Sequence, residues 1–265
     1  FFQDVLNKQA MVNAGLKFVL YNETETGMEM FEYYYENGIV DYVKETVGDD
    51  GFTTVETWEM EREGRDRADK EDYRMKMQVA FCFSNKVNML EYYHNSSYLE
   101  HGGSPDKAVR NAFVYAIDRY LKQNDKYNKN DSKITFADVA DCLALVINSF
   151  STQTSYENQT KKAINNKFIQ DAMTEFLRQQ LEVYFIENKT DAEKIANQVL
   201  VNKKSRENAE KARIDIKKKL TGTMDITNRV EKFVDCRSKD VSQREVYIVE
   251  GDSALGSCKL ARDPM

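Results

Sequence analysis

The chain has 265 residues, enough for one large or two small domains, and its 31% charged residues with only 2 prolines and 11 glycines exclude a collagen-like or low-complexity protein. No apolar run reaches the roughly 18 residues that span a bilayer, so no membrane is expected, and none of the four cysteines forms a CxxC pair, which argues against a zinc site and for reduced thiols in a cytoplasmic protein. Net charge is −6 but uneven: residues 1–100 carry about twenty acids against ten bases, whereas the rest has a slight basic excess, and such a local patch decides whether phosphates are contacted.

Residues 4–14 read as the end of a helix that stops at Gly15. Two β-rich runs, 16–22 and 28–35, flank Glu23–Gly27 as a hairpin. The chain opens inside an apparent element, and both ends are expected to continue in a longer protein. Ile39–Glu45 reads as a short helix. Strands are expected at 53–63, 73–84 and 88–94. The second alternates well, with Met75, Met77, Val79, Phe81 and Phe83 on one face. The charged segment Gly64–Glu71 between the first two reads as a solvated hairpin loop.

Gly102-Gly103 reads as a tight turn before a helix capped by Ser104, with Pro105 at its first position. Asn124–Asp131 is polar and turn-like. Thr135 is expected to cap a short helix before a buried strand, 143–150. Alternating strands and helices point to an α/β sandwich. Two long helices follow. The first, 166–187, buries Ile169, Met173, Phe176, Leu181 and Tyr184. The second opens at Thr190-Asp191-Ala192-Glu193, which has capping-box spacing, and runs to Leu220.

That second helix carries Lys203, Lys204, Arg206, Lys211, Arg213, Lys217, Lys218 and Lys219. Two readings stay open: a solvated face with pairs such as Glu207–Lys211, or a loose cationic surface for sequence-independent contact with DNA phosphates. Near the end, Val246–Val249 reads as a strand buried on both faces, which would set Glu250 just past its carboxyl end.

The segment Glu250-Gly251-Asp252-Ser253-Ala254 resembles the E-G-D-S-A motif opening the TOPRIM domain of type IIA DNA topoisomerases. Further landmarks resemble the B subunits of bacterial gyrase and topoisomerase IV. They are Asp235–Asp240 before the motif, Lys259, Arg262 and Asp263 after it, and Gln159-Thr160-Lys161 as the Q-T-K loop. His101–Pro105 is similar to their G-G-T-H turn, and Tyr35–Ile39 to their "YEGGI" segment. Departures are Leu255, glycine in many relatives, and Ser104-Pro105 in place of Thr-His.

This resemblance implies the tail of an ATPase domain at 1–37, a transducer domain at 38–222 and a linker with the start of TOPRIM at 223–265. The implied α+β fold is a ribosomal-S5-like transducer sandwich with long C-terminal helices, followed by the first TOPRIM strand. Lys161 is implied to touch the γ-phosphate of ATP in the ATPase domain, with Gln159 orienting the loop. Glu250 is implied as a catalytic carboxylate and Mg²⁺ ligand, in a site that needs further carboxylates. The basic helix is implied to face passing DNA. The parent is implied to use ATP and Mg²⁺, to pair with an A subunit as A2B2, and to alter DNA supercoiling or catenation. The fragment alone is expected to be inactive. The alternative is a non-enzymatic DNA- or protein-interaction module built on helix 203–219.

Overall fold

In the computed structural model the chain opens with helix α1 (Phe2–Val12), followed by a hairpin of β1 (Phe18–Thr24) and β2 (Gly27–Tyr33), paired from Phe18↔Tyr33 to Thr24↔Gly27. The order continues α2 (Ile39–Val47), β3 (Glu56–Gly64), β4 (Tyr73–Phe83), β5 (Met89–His94) and β6 (Ser97–Tyr98), then α3 (Ser104–Gln123), α4 (Phe136–Ala140), β7 (Leu143–Ser151), α5 (Lys167–Glu187), α6 (Lys189–Gly222) and α7 (Asp252–Ala261). Residues 1–128, 131–222, 232–238 and 240–263 are described, with side chains in α6 described to Lys218. The chain divides into two units, Phe1–Glu207 and Asn208–Met265.

In the first unit, β3 to β7 form one sheet in the order β3-β4-β7-β5-β6. Neighbours are antiparallel except β5 and β7, which run parallel and are joined through α3. The period-2 pattern of β4 sorts its residues as expected: Met75, Met77, Val79, Phe81 and Phe83 enter the larger core with Leu143, Leu145 and Ile147 of β7, against α3, α5 and α6. Ala80, Cys82, Ala144 and Val146 face the other way. Their small side chains let α2 press close with Ile39, Val43 and Val47, one stripe at i, i+4 and i+8. The sheet is thus sandwiched between α1 and α2 on one side and α3, α5 and α6 on the other. Burial pushes the Cys82 and Cys142 thiols up, to about 11 and about 12, which keeps both protonated and inert.

Three expected caps resolve differently. Thr135 does form a capping box with Asp138 at α4. At α3 the N-cap is Gly103, not Ser104, whose hydroxyl is buried and lies near the Ile164 and Asn166 carbonyls. At α6 the expected capping box is absent. The helix starts at Lys189, directly after Asn188 closes α5, and Glu193 is drawn away by Lys126. A strong acceptor three residues into a helix serves its cap only while no cation claims it.

In the second unit, Val246–Val249 is not a strand. Among the described residues it is irregular and open to water, with Ile248 94% exposed. An apolar run becomes a strand only when a neighbouring strand takes its backbone hydrogen bonds, and no strand is found among the described residues of this unit to do so. The E-G-D-S-A segment itself ends in α7, with Gly251 as N-cap and Asp252 in the first turn, ion-paired to Lys232. Lys239, in the segment before it, lies outside the described residues.

Candidate functional site

The chain leaves the sheet at Ser151, runs out as a limb through Tyr156, turns at Asn158–Lys161, and returns through Ile164 to enter α5. The turn is closed by Lys161 N–H donating to the Asn158 carbonyl (3.2 Å), and the Asn158 side chain caps Thr160 N–H (3.1 Å). Two limbs are stitched by Glu157 N–H to Ala163 O (3.0 Å) and Asn165 N–H to Ser155 O (2.9 Å). Gln159 and Lys161 are both exposed at the tip. Lys161 has φ +58°, a left-handed conformation that non-glycine residues seldom adopt. Its ammonium lies 5.6 Å from the centre of the Tyr156 ring and makes no ion pair among the described residues.

The base of this loop is anchored on three sides. On the outgoing side, buried His94 sits between Ser149, Ser151 and Thr154: Nδ1 is 2.8 Å from Ser149 Oγ, and Nε2 is 3.0 Å from both Ser151 Oγ and Thr154 Oγ1. Burial pushes its imidazole down to about 4, so it is neutral near pH 7. On the return side, the Asn166 amide donates to Asp66 (2.8 Å) and to the Tyr73 hydroxyl (3.0 Å), and its carbonyl oxygen accepts from Ser155 N–H (2.7 Å). Asp66 also accepts from Phe168 N–H (2.8 Å) and thereby caps α5 from another element. Third, the turn before α3 is sewn to the return limb: His101 N–H to Lys162 O (3.0 Å), Ser104 N–H to Ile164 O (2.8 Å), and a bridge from Gly103 to Ile164. Gly103, at φ +75°, is required there, since a Cβ would meet the Ile164 carbonyl oxygen at 2.2 Å. An ion pair joins Lys162 to Glu100.

The basic helix separates into two sets. Lys203 is buried, its ammonium 5.3 Å from the centre of the Tyr127 ring and 3.9 Å from Glu207. Arg206 is bound to Asp138. Both were expected on a DNA-facing surface, and both instead fasten α6 to the region of α4. Glu207 takes Lys203 and the Ser132 hydroxyl in place of the expected Lys211. Lys204, Lys211, Arg213, Lys217 and Lys218 are exposed, with Arg213 3.6 Å from Glu210. The Lys219 side chain lies outside the described residues.

Glu250 is exposed at the bend before α7. Among the described residues no three His, Cys, Asp or Glu side chains converge as a metal would need. The described residues alone therefore do not complete a Mg²⁺ site around Glu250, which was expected to need further carboxylates.

The anchoring residues His94, Asp66 and Asn166 escaped sequence reasoning. Asp66 lies in a run of charges with no periodicity, and only the three-dimensional meeting of the β3–β4 hairpin with α5 makes it a cap. His94 carried one signal, a titratable side chain inside a strand pattern.

No helix among the described residues is long and apolar enough to cross a membrane. The sequence profile of DNA gyrase B matches residues 38–214. The B subunit of DNA gyrase from Mycoplasma pneumoniae is 29% identical over 265 residues, which cover 97% of this chain and 40% of that protein. Its counterpart from Metamycoplasma arthritidis is 30% identical over 255 residues, covering 96% and 39%. The chain thus spans about two fifths of the length of the curated relatives it matches. Among solved structures, the 43K ATPase domain of Thermus thermophilus gyrase B in complex with an aminocoumarin aligns with a TM-score of 0.61 at 19% identity, over 80% of this chain and 55% of that one. The topoisomerase IV ATP binding domain of Francisella tularensis aligns at 0.57 and 20%, over 77% and 53%. At these identities the likeness is one of fold, a mixed α/β architecture. With the profile covering most of the sequence, including the anchored loop and the first part of the basic helix, the chain belongs to the DNA gyrase B family.

Proposed function

We propose that this chain is the transducer region of an ATP-dependent type II DNA topoisomerase B subunit, with ATPase-domain tail at 1–37, transducer at 38–222 and the opening of TOPRIM at 223–265. One observation carries the reading: the loop bearing Gln159 and Lys161 is fixed at its base from three elements and open at its tip. A loop serving only as a connection needs no such anchoring.

In this reading Lys161 reaches the terminal phosphate of ATP held by the ATPase domain of the same chain. A compact ammonium on a flexible stem suits a point-charge contact of that kind. The Tyr156 ring supports the cation without neutralising it, and Gln159 adds a hydrogen-bonding amide beside it. The contact distinguishes triphosphate from diphosphate, so the loop's resting position depends on the nucleotide. The stiff base passes that difference to α5 through Asn166 and to the sheet through His94. The exposed bases Lys204, Lys211, Arg213, Lys217 and Lys218 on α6 are a surface for DNA phosphates. The parent uses ATP and Mg²⁺, works with an A subunit in an A2B2 assembly, and changes DNA supercoiling or catenation. This stretch alone neither hydrolyses ATP nor cleaves DNA.

The test is the DNA-stimulated ATPase rate of the full-length protein with its A subunit, native against Lys161→Ala. A loss of tenfold or more, to order of magnitude, with DNA cleavage retained is expected. An unchanged rate overturns the reading.

A further inference from the structure

We propose that His94, acting through the Thr154 hydroxyl, is the positioning residue that sets where Lys161 is held. The inference rests on the reading of Lys161 as a phosphate contact.

Three hydroxyls place the imidazole. Ser149 Oγ donates to the Tyr93 carbonyl (3.0 Å), so its proton is spent and it must accept from His94 Nδ1–H. Nε2 is then the acceptor of the neutral ring. Ser151 Oγ donates to the Gln153 carbonyl (2.7 Å), and Thr154 Oγ1 stands 3.0 Å from Nε2 and 3.1 Å from Ser151 Oγ, so its hydroxyl bridges the imidazole and the end of β7. The Asn95 amide completes the arrangement by donating to Thr154 Oγ1 (3.1 Å). The result is a hydrogen-bonded network that runs from buried His94 and Ser149 to partly exposed Ser151 and Thr154, spanning β5, β7 and the first residues of the loop.

Position matters because Thr154 is the first side-chain hold of the outgoing limb beyond the sheet, ahead of Ser155, which Asn165 and Asn166 bind, and Tyr156, which bridges to Ile164 and packs on the larger core. Its last backbone bond to the sheet is Thr152 N–H to Arg74 O (3.2 Å). Beyond it, the Thr154 side chain ties the limb back to His94, two residues before Tyr156. The Lys161 ammonium rests against the Tyr156 ring. His94 and Thr154 thus set where the outgoing limb leaves the body, and Tyr156, seated on the core and on Ile164, carries Lys161 from there. The return limb is held by Asn166 and the Gly103 turn and is stitched to the outgoing one, so loss of the His94 hold would shift the outgoing limb at Thr154 rather than release the loop.

The experiment uses the full-length B subunit with its A subunit. Thr154→Val keeps the shape and removes the hydroxyl. Its DNA-stimulated kcat is expected to fall roughly tenfold, because displacement of a charge contact by a fraction of an ångström suffices. ADP affinity should be unchanged. His94→Gln, which restores a polar atom near Nε2, should recover most of the rate. His94→Asn, which serves only Ser149, should not. In a Lys161→Ala background, Thr154→Val should cause no further loss, since both changes act on one contact. Full activity of Thr154→Val beside an impaired Lys161→Ala overturns this inference and leaves the Lys161 reading intact. Losses that multiply in the double variant overturn it too. Full activity of Lys161→Ala removes the reading beneath it.

Discussion

Arg206 holds Asp138 with a two-pronged grip, Nε 2.6 Å from one carboxylate oxygen and Nη2 3.1 Å from the other. The Asp138 carboxylate is fully buried and also accepts from Thr135 N–H (2.7 Å), while the Asn202 amide donates to its backbone carbonyl (2.9 Å). Burial alone would push this carboxyl up, but the bonds from Arg206 and Thr135 outweigh it and hold the group below the usual aspartate range. The pair is the main polar fastening between α6 and α4.

Arg206→Ala leaves a buried carboxylate with only Thr135 to serve it. A wholly buried pair loses roughly 3–5 kcal/mol on such a change. Arg206 is 39% exposed, so water screens part of the attraction and a loss of about 2 kcal/mol is expected. Urea unfolding of the chain at neutral pH measures it. Because folding lowers the Asp138 pKa, its contribution is present above the ordinary aspartate range and disappears as pH falls through the folded value. The Arg206→Ala penalty should therefore shrink in strong acid.

DNA affinity should divide the basic residues of α6 the same way. Removing one cation that neutralises a phosphate reduces the slope of log K against log salt by about 0.9. Lys211→Ala with Arg213→Ala should flatten the slope measurably in the full-length protein. Lys203→Met and Arg206→Ala should leave it alone, because those cations already serve Tyr127, Glu207 and Asp138. Flattening by Lys203→Met would show that the buried pose is not the one that meets DNA.

These two residues mark where the sequence was legible and where it was not. Period-2 alternation named the β4 core residues correctly, because a strand's faces are local geometry. Helix stripes did the same for Ile169, Met173, Leu181 and Tyr184. Lys203 and Arg206 were misread because charge density says nothing about which face of a helix meets another element. That Gln159–Lys161 forms an exposed loop was legible in the sequence. Its anchors were not, since His94, Asp66 and Asn166 come from distant parts of the chain and meet only in the fold. Val246–Val249 failed for the opposite reason: its local pattern was that of a strand, but strand formation depends on a neighbour the run itself does not encode.

His94 predicts an acid weakness. Its imidazole is held near 4 by burial, against about 6.5 in the unfolded chain. The unfolded state thus binds the proton first. The stability tied to neutral His94 is complete above about pH 6.5 and is lost as pH falls through that window towards 4. Its full span is about 3 kcal/mol. Denaturation midpoints between pH 7 and pH 4 should fall more steeply for the native chain than for His94→Gln. Parallel pH profiles would rule His94 out as the source.

Gly103→Ala tests whether the α3 turn locks the return limb. A methyl group there meets the Ile164 carbonyl oxygen at 2.2 Å and its nitrogen at 2.7 Å, and both are backbone atoms that cannot swing aside. The left-handed φ of +75° adds strain of about 1 kcal/mol for any side chain. Relief requires Ile164 to move, which breaks the Ser104 N–H to Ile164 O bond and shifts the limb that carries Lys161 and Lys162. A loss of about 3 kcal/mol in stability is expected, together with a fall in DNA-stimulated ATP turnover in the full-length protein. Gly15→Ala is the control: its φ is +76° but no atom lies within 4 Å of the added carbon, so it carries the conformational strain without the clash. Equal losses in the two variants would show that backbone strain alone matters and that the contact with Ile164 yields. A larger loss in Gly103→Ala, with turnover falling only there, identifies the turn as part of what holds the loop in place.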